Sequence, residues 1–196
     1  MNAASWLLEG SALRASEAAF VQKDLVCSHA ELRARVERAA GFLAGAGVRP
    51  ADRVAILAHN SVDAAAVTLG ALLVGATAVP LPASDAPPRL ERMVARARPV
   101  AIFAEGRAEA TAAAIAPRAR RFGAADLVSP AGAPPMVEVE VEGDHPALVL
   151  FTSGSTGEPR GVVLSHMNLV ANTTSILAAL PIRPDDRMMA ILPFYY

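Results

Sequence analysis

Ten consecutive residues, TSGSTGEPRG at 152–161, concentrate groups that grip an anion. Thr152, Ser153, Ser155 and Thr156 carry hydroxyls, Gly154, Gly157 and Gly161 carry no side chain, and Arg160 is a cation. Glycine lets the backbone approach a ligand closely and adopt positive φ. Successive N–H groups can then form a concave nest for oxygen anions. The hydroxyls add donors, and the guanidinium adds a permanent charge on a planar fork that matches phosphate. The chemistry these types support is polyphosphate binding. The segment is not a Walker A loop, which needs GxxxxGK and Ser or Thr opening directly into a helix. The sixth residue from Gly154 is Pro159, and a strand-like VVL follows. The competing reading is a solvated Gly/Ser turn with no chemical role.

Such a loop needs rigid elements on both sides. An apolar run over 147–151 leads into it as a strand, and 162–164 leaves it as a second short strand. Ser165 then caps a helix over about 166–180. Upstream, Ser28 and Glu31 form a capping box, with the hydroxyl satisfying a free helix N–H and the carboxylate reaching back. Leu32, Val36, Ala40 and Leu43 share one face of the helix that follows, and Gly45 and Gly47 stop it. A buried strand is expected at 53–58. A helix capped by Asn60 or Ser61 runs to about 74, where Gly75 ends it, and a strand follows at 76–81. Pro87 and Pro88 open a helix to 97. A strand at 100–104, an Ala-rich helix at 105–116 and a surface loop at 123–135 come next. Alternating Val and Glu over 136–142 has the period of a half-buried strand and is expected at a sheet edge. A last strand is expected at 187–192, with Met188 and Met189 as its core and edge. The first 27 residues show only weak helical patterning. Strands alternating with helices at short spacing predict an α/β fold, a doubly wound, mainly parallel sheet flanked by helices.

Composition narrows the function classes. The chain has 196 residues and a formal net charge of −1, so charge gives no bulk reason to bind nucleic acid. Cys27 is the only cysteine, which excludes an intramolecular disulfide or a Cys-based zinc site. His29, His59, His145 and His166 have no metal-ligand spacing. The uncharged stretch 64–84 has the length of a membrane span, but Gly75, Pro80 and Pro82 break it. The opening MNAASWLLEG lacks the basic region of a signal peptide. The expected location is cytoplasmic.

The residue order in the loop resembles the adenylate-forming superfamily: acyl-CoA synthetases, adenylation domains of nonribosomal peptide synthetases, and luciferase-like ligases. The family pattern is close to TSG(S/T)TGxPKGV; this chain reads TSGSTGEPRGV, with Arg160 where Lys is usual. SHAELRARVERAAGFLAGAGVRPADRVAILAHNS, TLGALLVGATAVPL, VVLSHMNLVAN and DRMMAILPFYY also resemble family segments. The resemblance implies an ATP-dependent acid–thiol ligase. A carboxylate attacks the α-phosphate of ATP·Mg2+ and releases pyrophosphate. Coenzyme A or a carrier-protein pantetheine then takes the acyl group. It implies that Thr152, Ser153, Gly154, Ser155, Thr156, Gly157, Arg160 and Gly161 bind the ATP phosphates, with Thr156 near Mg2+, and that Tyr195 and Tyr196 border the acyl pocket. Tyr196 stands where the family often has His, which leaves the acid class open. The family's adenine-binding aromatic and Glu motif, ribose-binding Asp, hinge and C-terminal Lys find no counterpart in 1–196. The chain is therefore expected to be one incomplete N-terminal AMP-binding subdomain, inactive alone, whose partners are a carboxylic acid, ATP, the rest of the same enzyme and an acyl carrier protein.

Two other function classes stand beside this one. A non-catalytic interaction module could keep the fold, although it would not need this order of hydroxyls and glycines. Another phosphate-handling enzyme such as a kinase would release ADP rather than pyrophosphate. His166 sits in the first helical turn after the loop, His145 precedes a strand, and Asp185–Asp186 reads as a solvated turn.

Overall fold

The computed structural model describes residues 1–127, 138–153 and 158–196, with Ser153 described through its backbone only. Six strands form the main sheet: β3 (Arg53–Ala58), β4 (Thr77–Pro82), β5 (Ala101–Ala104), β6 (Arg120–Phe122), β7 (Pro146–Ser153) and β8 (Pro159–Ser165). Their spatial order is β6-β5-β3-β4-β7-β8. Every pairing is parallel except the last, where β7 and β8 run antiparallel. The expected mainly parallel, doubly wound sheet is the observed one.

Two cores explain the unbroken apolar runs of the central strands, since a parallel sheet is covered on both faces. Successive side chains of a strand point to opposite faces. Val54, Ile56 and Ala58 of β3 enter one core, and Ala55 and Leu57 the other. Helices α1 (Ala3–Ser11), α2 (His29–Gly45), α3 (Val62–Leu73) and α6 (His166–Ala179) cover the first face. Helices α4 (Pro87–Ala97) and α5 (Ala108–Ile115) cover the second.

Local chemistry sets the helix ends. The Glu31 N–H donates to Ser28 Oγ at 3.2 Å and the Ser28 N–H to Glu31 Oε2 at 2.7 Å, completing the expected capping box of α2. Ser61, not Asn60, caps α3 by accepting the Ala64 N–H at 3.0 Å. Pro87 opens α4, whose missing N–H costs nothing in a first turn. Ser165 and Asn168 form a second capping box on α6. At Gly75 φ is +72°, a conformation a Cβ would strain, and α3 stops there. Helices α2 and α3 meet closely at Gly70, where an added Cβ would lie 2.8 Å from that of Ala39.

Several expectations are corrected. The weakly patterned N-terminus is α1 followed by an antiparallel hairpin of β1 (Ala18–Gln22) and β2 (Leu25–Ser28). Residues 138–142 of the Val/Glu stretch form no strand, although Val141 is buried, Val139 half-buried and the glutamates exposed. Their backbone is satisfied elsewhere: the Val139 N–H donates to Leu73 O at 2.8 Å, and Asn2 and the terminal ammonium of Met1 donate to Val139 and Val141. The period-2 burial survives without a ladder. The strand expected at 187–192 is also absent. No described strand pairs with it, and Met188 and Met189 are 76% and 84% exposed rather than core and edge. The three-residue β6 carried no pattern long enough to read. Residues 128–137, which hold most of the expected surface loop, lie outside the described residues. Among the described residues no helix is long and apolar enough to cross a membrane.

Candidate nucleotide and acyl site

The segment 152–161 joins the two strands of a hairpin, β7 and β8. Thr152 of β7 stands opposite Arg160 of β8, Ser153 opposite Pro159, and Phe151 opposite Gly161. The two limbs of the loop are thus held one strand spacing apart, and the Thr152 hydroxyl donates to the Arg160 carbonyl at 3.4 Å. Gly154, Ser155, Thr156 and Gly157, together with the Ser153 side chain, lie outside the described residues. Thr152 and Arg160 are exposed. Gly161 has a packing reason to lack a side chain: a Cβ there would come within 2.9 Å of Val149 Cγ1.

Because β4 and β7 are parallel, their C-terminal ends share one edge of the sheet. Ligands of open α/β sheets bind outside that edge. A cleft of about 740 Å³ opens there, between Pro82, Asp85 and Arg89 on one side and Phe151, Thr152 and Tyr195 on the other. It brings Thr152, Tyr195 and Tyr196 into one lining. Arg160 and Gly161 do not line it. The two tyrosine rings lie 5.2 Å apart at 35°. Tyr196 is 79% exposed, whereas Tyr195 is half-buried.

Asn60 holds the backbone just before the tyrosines, a role the sequence pattern concealed behind its reading as a helix cap. It follows the C-terminal end of β3. Its Nδ2 donates to Leu192 O at 2.9 Å, and its Oδ1 accepts the Phe194 N–H at 2.9 Å. One amide therefore clamps the backbone on both sides of Pro193. Glu105, at the end of β5, is a second residue the sequence did not flag. Burial raises its carboxyl above the usual range, against the Ser61 hydroxyl, which donates to it at 2.9 Å.

Charge near the cleft is supplied by α4. Arg89 pairs with Asp85 at 3.3 Å, and Arg92 and Arg96 lie 3.9 and 3.6 Å from the carboxylate of Glu158. No group of three or more His, Cys, Asp or Glu poised for a metal occurs among the described residues.

The other candidates resolve as structural. His166 is fully buried, and its Nδ1 accepts the Ala3 N–H at 3.0 Å. Burial, with the nearby charges of His145 and the terminal ammonium, pushes it down to about 4. It ties α1 to the start of α6 and does not face the cleft. His145 Nε2 lies 3.0 Å from Gly75 O. Cys27 is buried, which raises its thiol and keeps it protonated. Asp186 closes the expected turn by accepting the Arg183 N–H at 2.8 Å.

Comparison with known proteins bears on the family and the fold. A feruloyl-CoA synthase from Amycolatopsis is 35% identical over 170 residues, which cover 86% of this chain and 34% of that protein. ATP-bound MatB from Rhodopseudomonas palustris superposes with a TM-score of 0.88 at 28% identity, over all of this chain and 41% of that one. The inhibitor-bound N-terminal domain of FACL13 from Mycobacterium tuberculosis also gives 0.88, at 26% identity, over all of this chain and 52% of that one. The chain spans about a third of the length of the feruloyl-CoA synthase it matches. The model of the AMP-binding enzyme family matches residues 9–196, and with that match and the shared fold the chain belongs to this family of adenylate-forming enzymes.

Proposed function

We propose that this chain supplies the polyphosphate grip and part of the acyl pocket of an ATP-dependent acid–thiol ligase. The observation that carries the reading is the hairpin. The limbs of the segment 152–161 are paired strand ends, Thr152 with Arg160 and Ser153 with Pro159, and Thr152 lines a cleft together with Tyr195 and Tyr196. Its substrates are a carboxylic acid and the magnesium complex of ATP. Loop N–H groups and the hydroxyls of Thr152, Ser153, Ser155 and Thr156 hold the β- and γ-phosphates, with Thr156 beside the magnesium ion. Gly154, Gly157 and Gly161 keep the backbone close to them, and Arg160 offsets their charge.

Positioning is the main demand of phosphoryl and nucleotidyl chemistry, because the nucleophile and the leaving group must lie in line. Immobilising the two terminal phosphates leaves the α-phosphorus open to attack by a carboxylate held in the cleft. The carboxylate oxygen bonds to that phosphorus as its bond to the pyrophosphate oxygen breaks. A thiol, from coenzyme A or a carrier-protein pantetheine, then takes the acyl group and AMP departs. The chain covers 34% of the feruloyl-CoA synthase, so we assign adenine binding and completion of the site to polypeptide beyond the present 196 residues, and no turnover to this chain alone.

Pyrophosphate release from ATP·Mg2+ across a panel of carboxylic acids tests the reading. The longer protein carrying this chain releases pyrophosphate in an acid-dependent manner, and the 196-residue chain does not. Acid-dependent ADP release would replace the ligase with a kinase-like enzyme. Robust turnover by the chain alone would overturn the assignment of the missing half-site.

A further inference from the structure

The segment 152–161 contains one acid, Glu158, in a stretch otherwise suited to anions. A free carboxylate there would repel a polyphosphate. The structure gives it two counter-charges. Glu158 Oε1 lies 3.9 Å from Arg92 Nε, and Oε2 lies 3.6 Å from Arg96 Nη2. Each carboxylate oxygen faces a different guanidinium, so Glu158 bridges two consecutive turns of α4.

That helix is a firm support. Leu90, Met93, Val94 and Ala97 are buried in the second core, and α4 packs against β8. Arg89, Arg92 and Arg96, spaced three and four residues apart, form one stripe along it. Arg89 is held at the cleft by Asp85, and the other two meet the acid that immediately precedes β8. The pairing of Thr152 with Arg160 and of Ser153 with Pro159 holds the two limbs in the plane of the sheet. The contact to α4 holds the exit limb, at Glu158, in the direction perpendicular to that plane, which backbone pairing alone leaves soft.

Building on the function proposed above, we propose that Glu158, clamped by Arg92 and Arg96, is a positioning residue that anchors the exit limb of the phosphate loop to α4 and neutralises the loop's one acid. The arginines act on the phosphates through Glu158 and the loop, not by contact. All three side chains are about half exposed, and exposed ion pairs contribute modestly. The expected effect of breaking the clamp is therefore about a three- to tenfold rise in the KM for ATP, with a smaller change in kcat.

The test uses the longer protein carrying this chain. Four variants are compared with wild type: E158Q, R92Q/R96Q, the charge swap E158R/R92E/R96E, and E91Q as a control on the exposed side of α4. KM and kcat for ATP are read from pyrophosphate release, and the Kd for ATP from calorimetry at low and high salt. The clamp predicts that E158Q and R92Q/R96Q both weaken ATP, R92Q/R96Q the more because it leaves the carboxylate free, that the swap recovers most of the loss, and that added salt weakens ATP binding more in wild type than in E158Q. A tighter ATP Kd in E158Q with a weaker one in R92Q/R96Q would overturn it, because the arginines would then bind phosphate themselves. Wild-type affinity in both would overturn it as well. If wild type binds ATP but releases no pyrophosphate with any acid, the ligase reading fails, while the Kd comparison still decides the clamp.

Discussion

Protonating His166 should destabilise the fold, and the structure sets the size of the effect. The ring is fully buried, its Nδ1 is committed to accepting the Ala3 N–H at 3.0 Å, and its buried Nε2 meets no hydrogen-bond partner among the described residues. A proton on Nδ1 would break that bond and place a charge where water cannot reach. The neighbouring His145 ring, 6.1 Å away, and the terminal ammonium repel it further. The group falls from 6.5 to about 4 on folding. In the window between these values the unfolded chain binds the proton and the folded chain does not. The contribution is therefore complete above the unfolded value and is lost as pH falls toward the folded one. Between about pH 8 and about pH 5 this amounts to a loss of about 2 kcal/mol. Urea unfolding of wild type and His166→Asn at both pH values measures it. Asn keeps a neutral acceptor for the Ala3 N–H but cannot titrate. The variant should lose about 2 kcal/mol less than wild type on acidification. Parallel losses in the two proteins would mean that His166 does not titrate in this window.

Further predictions follow from other contacts. Gly70→Ala gains about 1 kcal/mol of helix propensity, but its Cβ would lie 2.9 Å from Ala40 N and 3.0 Å from Val36 O, backbone atoms that cannot rotate away. Overpacking should win, with a net loss of about 1–2 kcal/mol in chemical denaturation; a higher Tm would show that α2 and α3 separate easily. Asn60→Ala removes the acceptor of the Phe194 N–H, so amide exchange at Phe194 should accelerate about tenfold, and unchanged exchange would mean another group holds that segment. Arg160→Gln should weaken ATP binding by about tenfold while Arg160→Lys keeps most of it, since loss of one charge-assisted contact is worth about 1.5 kcal/mol; titration calorimetry on the longer protein reads the difference.

Much of this architecture is legible in the sequence where local chemistry and tertiary context agree. The run RVAILA is β3 to the residue, Pro87 and Pro88 open α4, and Ser28 with Glu31 fixes the start of α2. The strands on either side of the segment 152–161 are legible from the apolar residues of 147–151 and 162–164. Other parts depend on partners that no local pattern reveals. The β1–β2 hairpin turns at Lys23 with φ of 53°, without the glycine that usually announces such a turn. The Val/Glu stretch has a strand's burial pattern, but the carbonyl at the end of α3 takes its N–H. The segment 187–192 has a strand's apolar content and no neighbour to pair with among the described residues. Asn60 looks like one more polar residue before a helix, and only the returning chain at Leu192 and Phe194 shows its use. The Glu158 clamp joins residues more than sixty positions apart, beyond the reach of any local pattern.

Attack of a carboxylate on the α-phosphate of ATP at this site leaves a trace that can be followed in one oxygen atom. The longer protein is given a carboxylic acid labelled with oxygen-18, ATP·Mg2+ and a thiol acceptor, and the products are weighed by mass spectrometry. One labelled oxygen is expected in AMP, carried across when the acyl-adenylate is cleaved, and none in pyrophosphate. Label in inorganic phosphate, with ADP as the nucleotide product, would place the attack on the γ-phosphate and contradict it.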